Sequence, residues 1–204
     1  LGNHDMAGLA QLSDQGAKDF AREVAQYCYA FNLDGVNYDD EYSNYPDLDN
    51  PSFTTPSTKA AARLCYETKK AMPDKLVTVF DYGSMYGVAS VDGVDADEWI
   101  DIVVPNYGGR AYPIGNMTLK KCAGLAAEFN LGIGGSLSSS AAQSLMAGGY
   151  GWYMGFAPSP RTYESTFRRL QGASELYGSR LKDPTIFYKK NDPNPSNYPD
   201  DLYK

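Results

Sequence analysis

The chain has 204 residues, with 18 Lys and Arg against 25 Asp and Glu, a formal net charge of −7 and a pI near 4.7, a balance that disfavours nonspecific binding to a phosphate backbone. With 43 % apolar residues, 20 Gly and 12 Pro, and no apolar run approaching the roughly 18 residues of a bilayer-spanning helix, the composition is that of a soluble globular domain. One histidine, His4, and three cysteines, Cys28, Cys65 and Cys122, are too few for a four-Cys zinc site and leave a Ser-His-Asp triad dependent on His4 alone, so hydrolysis would have to run on carboxylates.

In chain order, Ser13 or Asp14 caps a predicted helix with Phe20, Val24, Cys28 and Phe31 on one apolar stripe, and residues 35–39 follow as a strand. Residues 55–57 open a second helix carrying Ala61, Leu64, Cys65 and Thr68, which Met72 and Pro73 end, before a buried strand at 76–80. Further strands are predicted at 99–104, 131–135 and 150–156, with helices at 118–129, capped by Thr118, from Ser138 to Gly148, and from about 162 to 177. All three cysteines fall on predicted helix stripes and read as small buried hydrophobes. After Gly178 the periodicity stops, and residues 179–204 read as an irregular tail.

Strands alternating with helices through short Gly and Pro turns predict an α/β fold with parallel strands and right-handed crossovers. Five full strands and the tail of another at Leu1-Gly2-Asn3 suit an open sheet, or part of a closed eight-stranded barrel, which takes about 250 residues.

The charge is local. From Glu23 to Thr58 there are seven acids and no Lys or Arg, so the rest of the chain balances. A solvated face explains such a run, and so does a site. The 17 tyrosines suit stacking on sugar faces and suit a large core equally well. Within the acidic stretch, Asn37, Asp39 and Glu41 alternate with Val36 and Tyr38, which places the three polar groups on one side of the strand at its carboxyl end. Parallel α/β folds bind ligands there, and two carboxylates so spaced couple, raising one toward general-acid service. A calcium loop is the competing reading; it needs about six to eight oxygens, and Gly35 and Glu41 are misplaced for the helix-loop-helix form.

The run Asp34-x-x-Asn37-x-Asp39-x-Glu41 resembles the D-x-x-D-x-D-x-E signature of glycoside hydrolase family 18. With Leu1-Gly2-Asn3-His4, residues 71–79, Asn106-Tyr107-Gly108-Gly109, Gly149-Tyr150-Gly151 and Glu175-Leu176-Tyr177-Gly178, the chain is similar to endo-β-N-acetylglucosaminidases of the endo H and endo F type. The resemblance implies a (β/α)8 TIM barrel with this signature on its fourth strand. Residues 1–178 would then run from the end of strand three to helix eight, with about 90 residues of the barrel lying upstream.

It further implies hydrolysis of the β-1,4 bond between the two core N-acetylglucosamines of N-linked glycans, by retaining, substrate-assisted chemistry without a cofactor or metal. Glu41 would be the acid and base, Asp39 the residue that orients the acetamide, and Tyr107 its hydrogen-bond partner, with Asn37, Asn106 and Phe156 binding substrate. Asn37 stands where many members carry an aspartate, which bears on pH dependence. A rim role for Asn3 and His4, subsite contacts for Asp81 and Tyr82, and an aromatic floor at Trp152 compete with plain packing. The glycan or glycoprotein is the implied partner of a monomer outside the cytoplasm, in the extracellular space, the periplasm or on a bacterial cell surface. A chitinase and a non-catalytic glycan-binding barrel are the alternatives.

Overall fold

Six parallel strands carry the structure, a computed structural model that describes residues 2–3, 8–41, 49–158 and 168–178. β1 (Gly2–Asn3) leads to α1 (Asp14–Ala30), β2 (Gly35–Asp40), α2 (Thr58–Ala71) and β3 (Leu76–Asp81). A two-stranded hairpin, β4 (Ser90–Val91) and β5 (Val94–Asp95), precedes β6 (Ile102–Pro105). β7 (Ala123–Glu128), α3 (Ser139–Ala147), β8 (Trp152–Phe156) and α4 (Ala173–Tyr177) complete the order.

β1, β2, β3 and β6 form one parallel sheet, with Val36 opposite Val77, Tyr38 opposite Val79 and Phe80 opposite Val104. β7 and β8 form a parallel pair, with Glu128 opposite Phe156. A parallel bridge between Val103 and Cys122 joins the two, so the carboxyl ends of all six strands lie at one end. This is the α/β order expected, and among the described residues the strands do not close into a barrel.

Helix starts follow the capping chemistry. Ser13, rather than Asp14, caps α1 by accepting the Gly16 N–H, and Ser57 and Ser138 cap α2 and α3 on the Ala60 and Ala141 N–H groups. α1 and α2 cover one face of β2 and β3, where Val36, Tyr38, Val77 and Val79 meet Ala25, Cys28, Leu64 and Cys65. The Tyr38 hydroxyl, buried among these, bonds Thr68 Oγ1 at 2.7 Å, and Thr68 donates on to the Leu64 carbonyl, as a buried hydroxyl requires.

Four expectations are corrected. The helix predicted at 118–129 is a single 3-10 turn, Leu119–Lys121, followed by β7; Thr118 makes no side-chain cap, and Cys122 lies beside a strand rather than on a helix stripe. Alanines favour helix in isolation, but Ala123, Ala126 and Ala127 are fully buried, and a Cβ on Gly124 would stand 2.5 Å from the Tyr150 ring. The small residues serve close packing on both faces, which overrides propensity. Residues 131–135 are a turn, not a strand, with Gly132 and Gly134 at φ +71° and +83°. Trp99 and Ile100 close a 3-10 turn on the Ala96 carbonyl, so the next strand begins only at Ile102. Phe31 ends α1 at 68 % exposure, stacked on Tyr27 instead of joining the core stripe. His4, residues 162–167 of the last predicted helix and the tail 179–204 lie outside the described residues. No helix among the described residues is long and apolar enough to cross a membrane.

Leu64→Ala is expected to cost about 2–5 kcal/mol, the price of a cavity at a fully buried site. Phe31→Ala should fall within about 0.5 kcal/mol of zero. Denaturant unfolding of both variants checks the contrast between stripe and surface.

Candidate active site

The alternation along β2 sorts its side chains into two sets. Val36, Tyr38 and Asp40 are buried on the helix side, whereas Asn37, Asp39 and, past the strand end, Glu41 take the other face, with Asn37 exposed and both acids half-buried. Asp40, only 1 % exposed, accepts the Ala10 N–H at 2.7 Å and so ties the segment before α1 to the end of β2. On the opposite face, Asn37 Oδ1 accepts the Thr78 hydroxyl at 2.8 Å, a cross-strand bond below Asp39.

Continuing the pairing of Tyr38 with Val79 by one residue sets Phe80 beside Asp39 and turns Asp81 to the helix side. Asp81 therefore does not share the face of the two acids. Burial pushes its carboxyl above the usual range, and its charge acts on Tyr86 and Cys122. Tyr82 is exposed and stacks on Phe80 with ring centroids 6.1 Å apart.

Tyr107 arrives from β6 through a turn built by its own neighbours. Asn106 Oδ1 accepts the Tyr107 N–H at 2.7 Å, and the Asn106 carbonyl accepts the Gly109 N–H at 2.9 Å. Gly108, at φ +80°, donates its N–H to the Ala126 carbonyl of β7 at 2.8 Å, a left-handed position that suits glycine. The Tyr107 ring then lies 5.7 Å from Phe80 and 5.6 Å from Phe156, which is 52 % exposed at the end of β8. Tyr82, Phe80, Tyr107 and Phe156 form a continuous aromatic arc over the strand ends.

The phenol of Tyr107 is pushed above its ordinary value by burial first, then by the charges of Glu41, Asp39 and Glu128. Asp39, Glu41 and Tyr107, named from sequence, are thus brought into one electrostatic neighbourhood, with Phe156 on its edge. Asn106 acts through the backbone of Tyr107, and Asn37 lies on the same face as Asp39 but is bonded to Thr78. Trp152 packs on Tyr177, 5.8 Å between centroids, away from the arc. Asn3 contributes backbone pairing with Asp40.

Two members were missed from sequence: Phe80, hidden in an apolar run, and Glu128, hidden in a helix that does not form. The glycine-rich stretch from Gly132 to Gly135, shortly after Ala126 and Ala127, was the available sign of a strand end there. Burial pushes the Cys65 thiol up to about 12 and Cys122 to about 11, which leaves neither as a nucleophile. Among the described residues, no group of three or more His, Cys, Asp or Glu could hold a metal ion.

An acid pair and a tyrosine at the carboxyl ends of parallel strands, rimmed by aromatic rings, is the arrangement of a ligand site in an α/β fold. The comparisons with known proteins point the same way. No protein-family model matches the chain. It is 41 % identical over 199 residues to endo-β-N-acetylglucosaminidase F1 of Elizabethkingia meningoseptica, covering 94 % of this chain and 58 % of the relative. It is 31 % identical over 157 residues to an endo-β-N-acetylglucosaminidase of Flavobacterium sp. (strain SK1022), covering 76 % and 49 %.

Two crystal structures of EndoBT-3987 from Bacteroides thetaiotamicron superpose with a TM-score of 0.85. One, with Man5GlcNAc product, is 75 % identical, and the other, with Man9GlcNAc2Asn substrate, is 74 % identical. They cover 99 % of this chain and 48 % and 52 % of the solved chains. The chain spans about half the length of the relatives it matches.

Because the acids raise the Tyr107 phenol, Asp39→Asn and Glu41→Gln should each lower its titration midpoint: removing a nearby negative charge makes the phenolate easier to form. Alkaline titration followed by NMR of carbon-labelled tyrosine, with Tyr107→Phe to assign the signal, checks the direction.

Proposed function

We propose that the chain is the catalytic part of an endo-β-N-acetylglucosaminidase that hydrolyses the β-1,4 bond between the two core N-acetylglucosamines of N-linked glycans. The observation that carries the reading is the placement of Asp39 and Glu41 on the open face at the end of β2, beside Phe80 and the Tyr107 ring that packs on it. The named relatives and the glycan complexes of EndoBT-3987 support it. The fold proposed is a (β/α)8 barrel of glycoside hydrolase family 18, to which residues 1–178 contribute the strands from the end of the third onward; the run of parallel strands with helices on one face supports that assignment.

On this reading each residue has a step. Glu41 donates a proton to the glycosidic oxygen as the bond to C1 breaks, and the acetamide carbonyl oxygen of the same sugar closes on C1. Asp39 accepts the acetamide N–H and offsets the positive charge of the resulting oxazolinium ion. Tyr107 donates its O–H to the acetamide oxygen. A phenol is already protonated at neutral pH, and burial and the acids push its titration further up. Glu41, now ionised, takes a proton from the water that attacks C1, and two inversions retain configuration. Phe156 offers an exposed ring face to a sugar, Asn106 holds the Tyr107 turn, and Asn37 presents its amide below Asp39. Because glycoproteins of this kind are met outside the bacterial cytoplasm, the reading extends to an enzyme of the periplasm, the cell surface or the extracellular space.

Glu41→Gln is expected to lower turnover of a high-mannose glycoprotein by about 10²–10⁴-fold or more, since it removes the only acid and base in the scheme, while leaving glycan binding intact. Asp39→Asn should lose less with a preformed sugar oxazoline, which has already passed the step Asp39 assists. Both variants, assayed on glycoprotein and oxazoline with chitin oligomers alongside, provide the check. Equal, small losses throughout would favour a glycan-binding protein, and preferential cleavage of chitin a chitinase.

A further inference from the structure

Glu128 is a buried carboxylate with no part in the chemistry above. It ends β7 opposite Phe156, so its side chain lies on the face that carries Phe156, and it is only 4 % exposed. Burying a carboxylate is costly unless its oxygens are bonded. Here Oε1 accepts the Asn130 N–H at 3.1 Å and Oε2 accepts the Leu131 N–H, so the side chain bends residues 129–132 back over its own strand.

The return is fixed by two backbone bonds between Glu128 and Ile133, at 3.0 and 3.1 Å. It reaches Gly134, whose φ is +83° and where a Cβ would stand 1.9 Å from the Ala126 carbonyl. That same carbonyl receives the Gly108 N–H, and Ile133 Cγ2 lies 3.6 Å from where a Gly108 Cβ would be. On the far side Arg169 closes the segment, with its guanidinium 4.6 Å from the Phe129 ring centroid and one nitrogen 3.3 Å from the Phe129 carbonyl. The returning segment is therefore packed against the turn that aims Tyr107.

We propose that Glu128 is a positioning residue: by holding residues 129–134 in their return, it seats Ile133 and Gly134 against the Gly108 turn and fixes the direction of Tyr107. This rests on the catalytic reading of Asp39, Glu41 and Tyr107. The carboxylate contributes twice, because its charge also helps keep the Tyr107 phenol protonated. A glutamine in its place offers one acceptor oxygen where two are needed, and sets an amide N–H against a backbone N–H.

The test is a double-mutant cycle in the full-length protein on a high-mannose glycoprotein, well below the melting temperature. Glu128→Gln should lower kcat by about ten- to a hundredfold, the scale of a misplaced contact made from outside the reacting atoms. In a Tyr107→Phe background, it should cost less than about threefold, since the group it positions is gone. A purely structural role would lower the melting temperature and leave kcat losses multiplicative. Ile133→Ala, at a side chain 41 % exposed, breaks the same link without touching the carboxylate and should show the same non-additivity if Glu128→Gln does not fold. Full activity of Glu41→Gln would overturn the catalytic reading itself. An inactive Glu41→Gln beside a Glu128→Gln and an Ile133→Ala that are fully active, or that multiply with Tyr107→Phe, would overturn the role of Glu128 alone.

Discussion

The pairing of β2 with β3 decides which residues can take part in chemistry. A slip of one residue would carry Asp39 and Glu41 into the helix layer and set Val36 and Tyr38 on the open face, because strand side chains alternate strictly. The register is held on both faces at once. On one, Tyr38 is fully buried among Val79, Leu64 and Cys65 with its hydroxyl committed to Thr68; on the other, Asn37 is bonded to Thr78. Asp40 adds a lock at the strand end through the Ala10 N–H. A slip would strand a buried hydroxyl and a buried carboxylate together, each costing about 1–3 kcal/mol or more. The two acids of the site are exact in place because their neighbours on the hidden face have nowhere else to go.

The strand ends concentrate charge in a small space. Asp39, Glu41 and Glu128 all act on the Tyr107 phenol, which burial already disfavours as an anion. Such crowding does not serve stability, since like charges repel and half-buried carboxylates lose hydration. It is the usual mark of a place where protonation states are set for a purpose. Glu128 escapes the worst of this by spending both oxygens on backbone N–H groups.

Much of this was legible in the sequence where local signals and tertiary packing agree. α1 and α2 have serine caps and apolar stripes, and β2 and β3 have the periodicity of half-buried and buried strands, so all four were read at nearly their observed bounds. The shared face of Asp39 and Glu41 was legible for a different reason, the alternation of side chains along a strand, whereas Tyr107 was named only through the family resemblance of Asn106-Tyr107-Gly108-Gly109. The reading failed between residues 118 and 135, where alanine and glycine carry little local preference that survives burial. There the structure is decided by what lies across the gap, Tyr150 and Leu145 against Gly124, and the Ala126 carbonyl against Gly134. With that strand misplaced, Glu128 could not be placed on the face of the acids.

Apart from Leu125 and Glu128, β7 is a strand with almost no side-chain bulk. Ala123, Gly124, Ala126 and Ala127 leave it little more than a backbone, held between the Gly108 turn on one side and β8 on the other. It works as a backing: with so little volume in the strand behind them, Tyr107 and Phe156 close to 5.6 Å between ring centroids and form one continuous surface. Residues far from any reacting atom can in this way shape a surface by volume alone. A larger side chain at Gly124 would press on Tyr150 and Leu145 and so push on the strand from the α3 side while every polar group at the strand ends stayed the same.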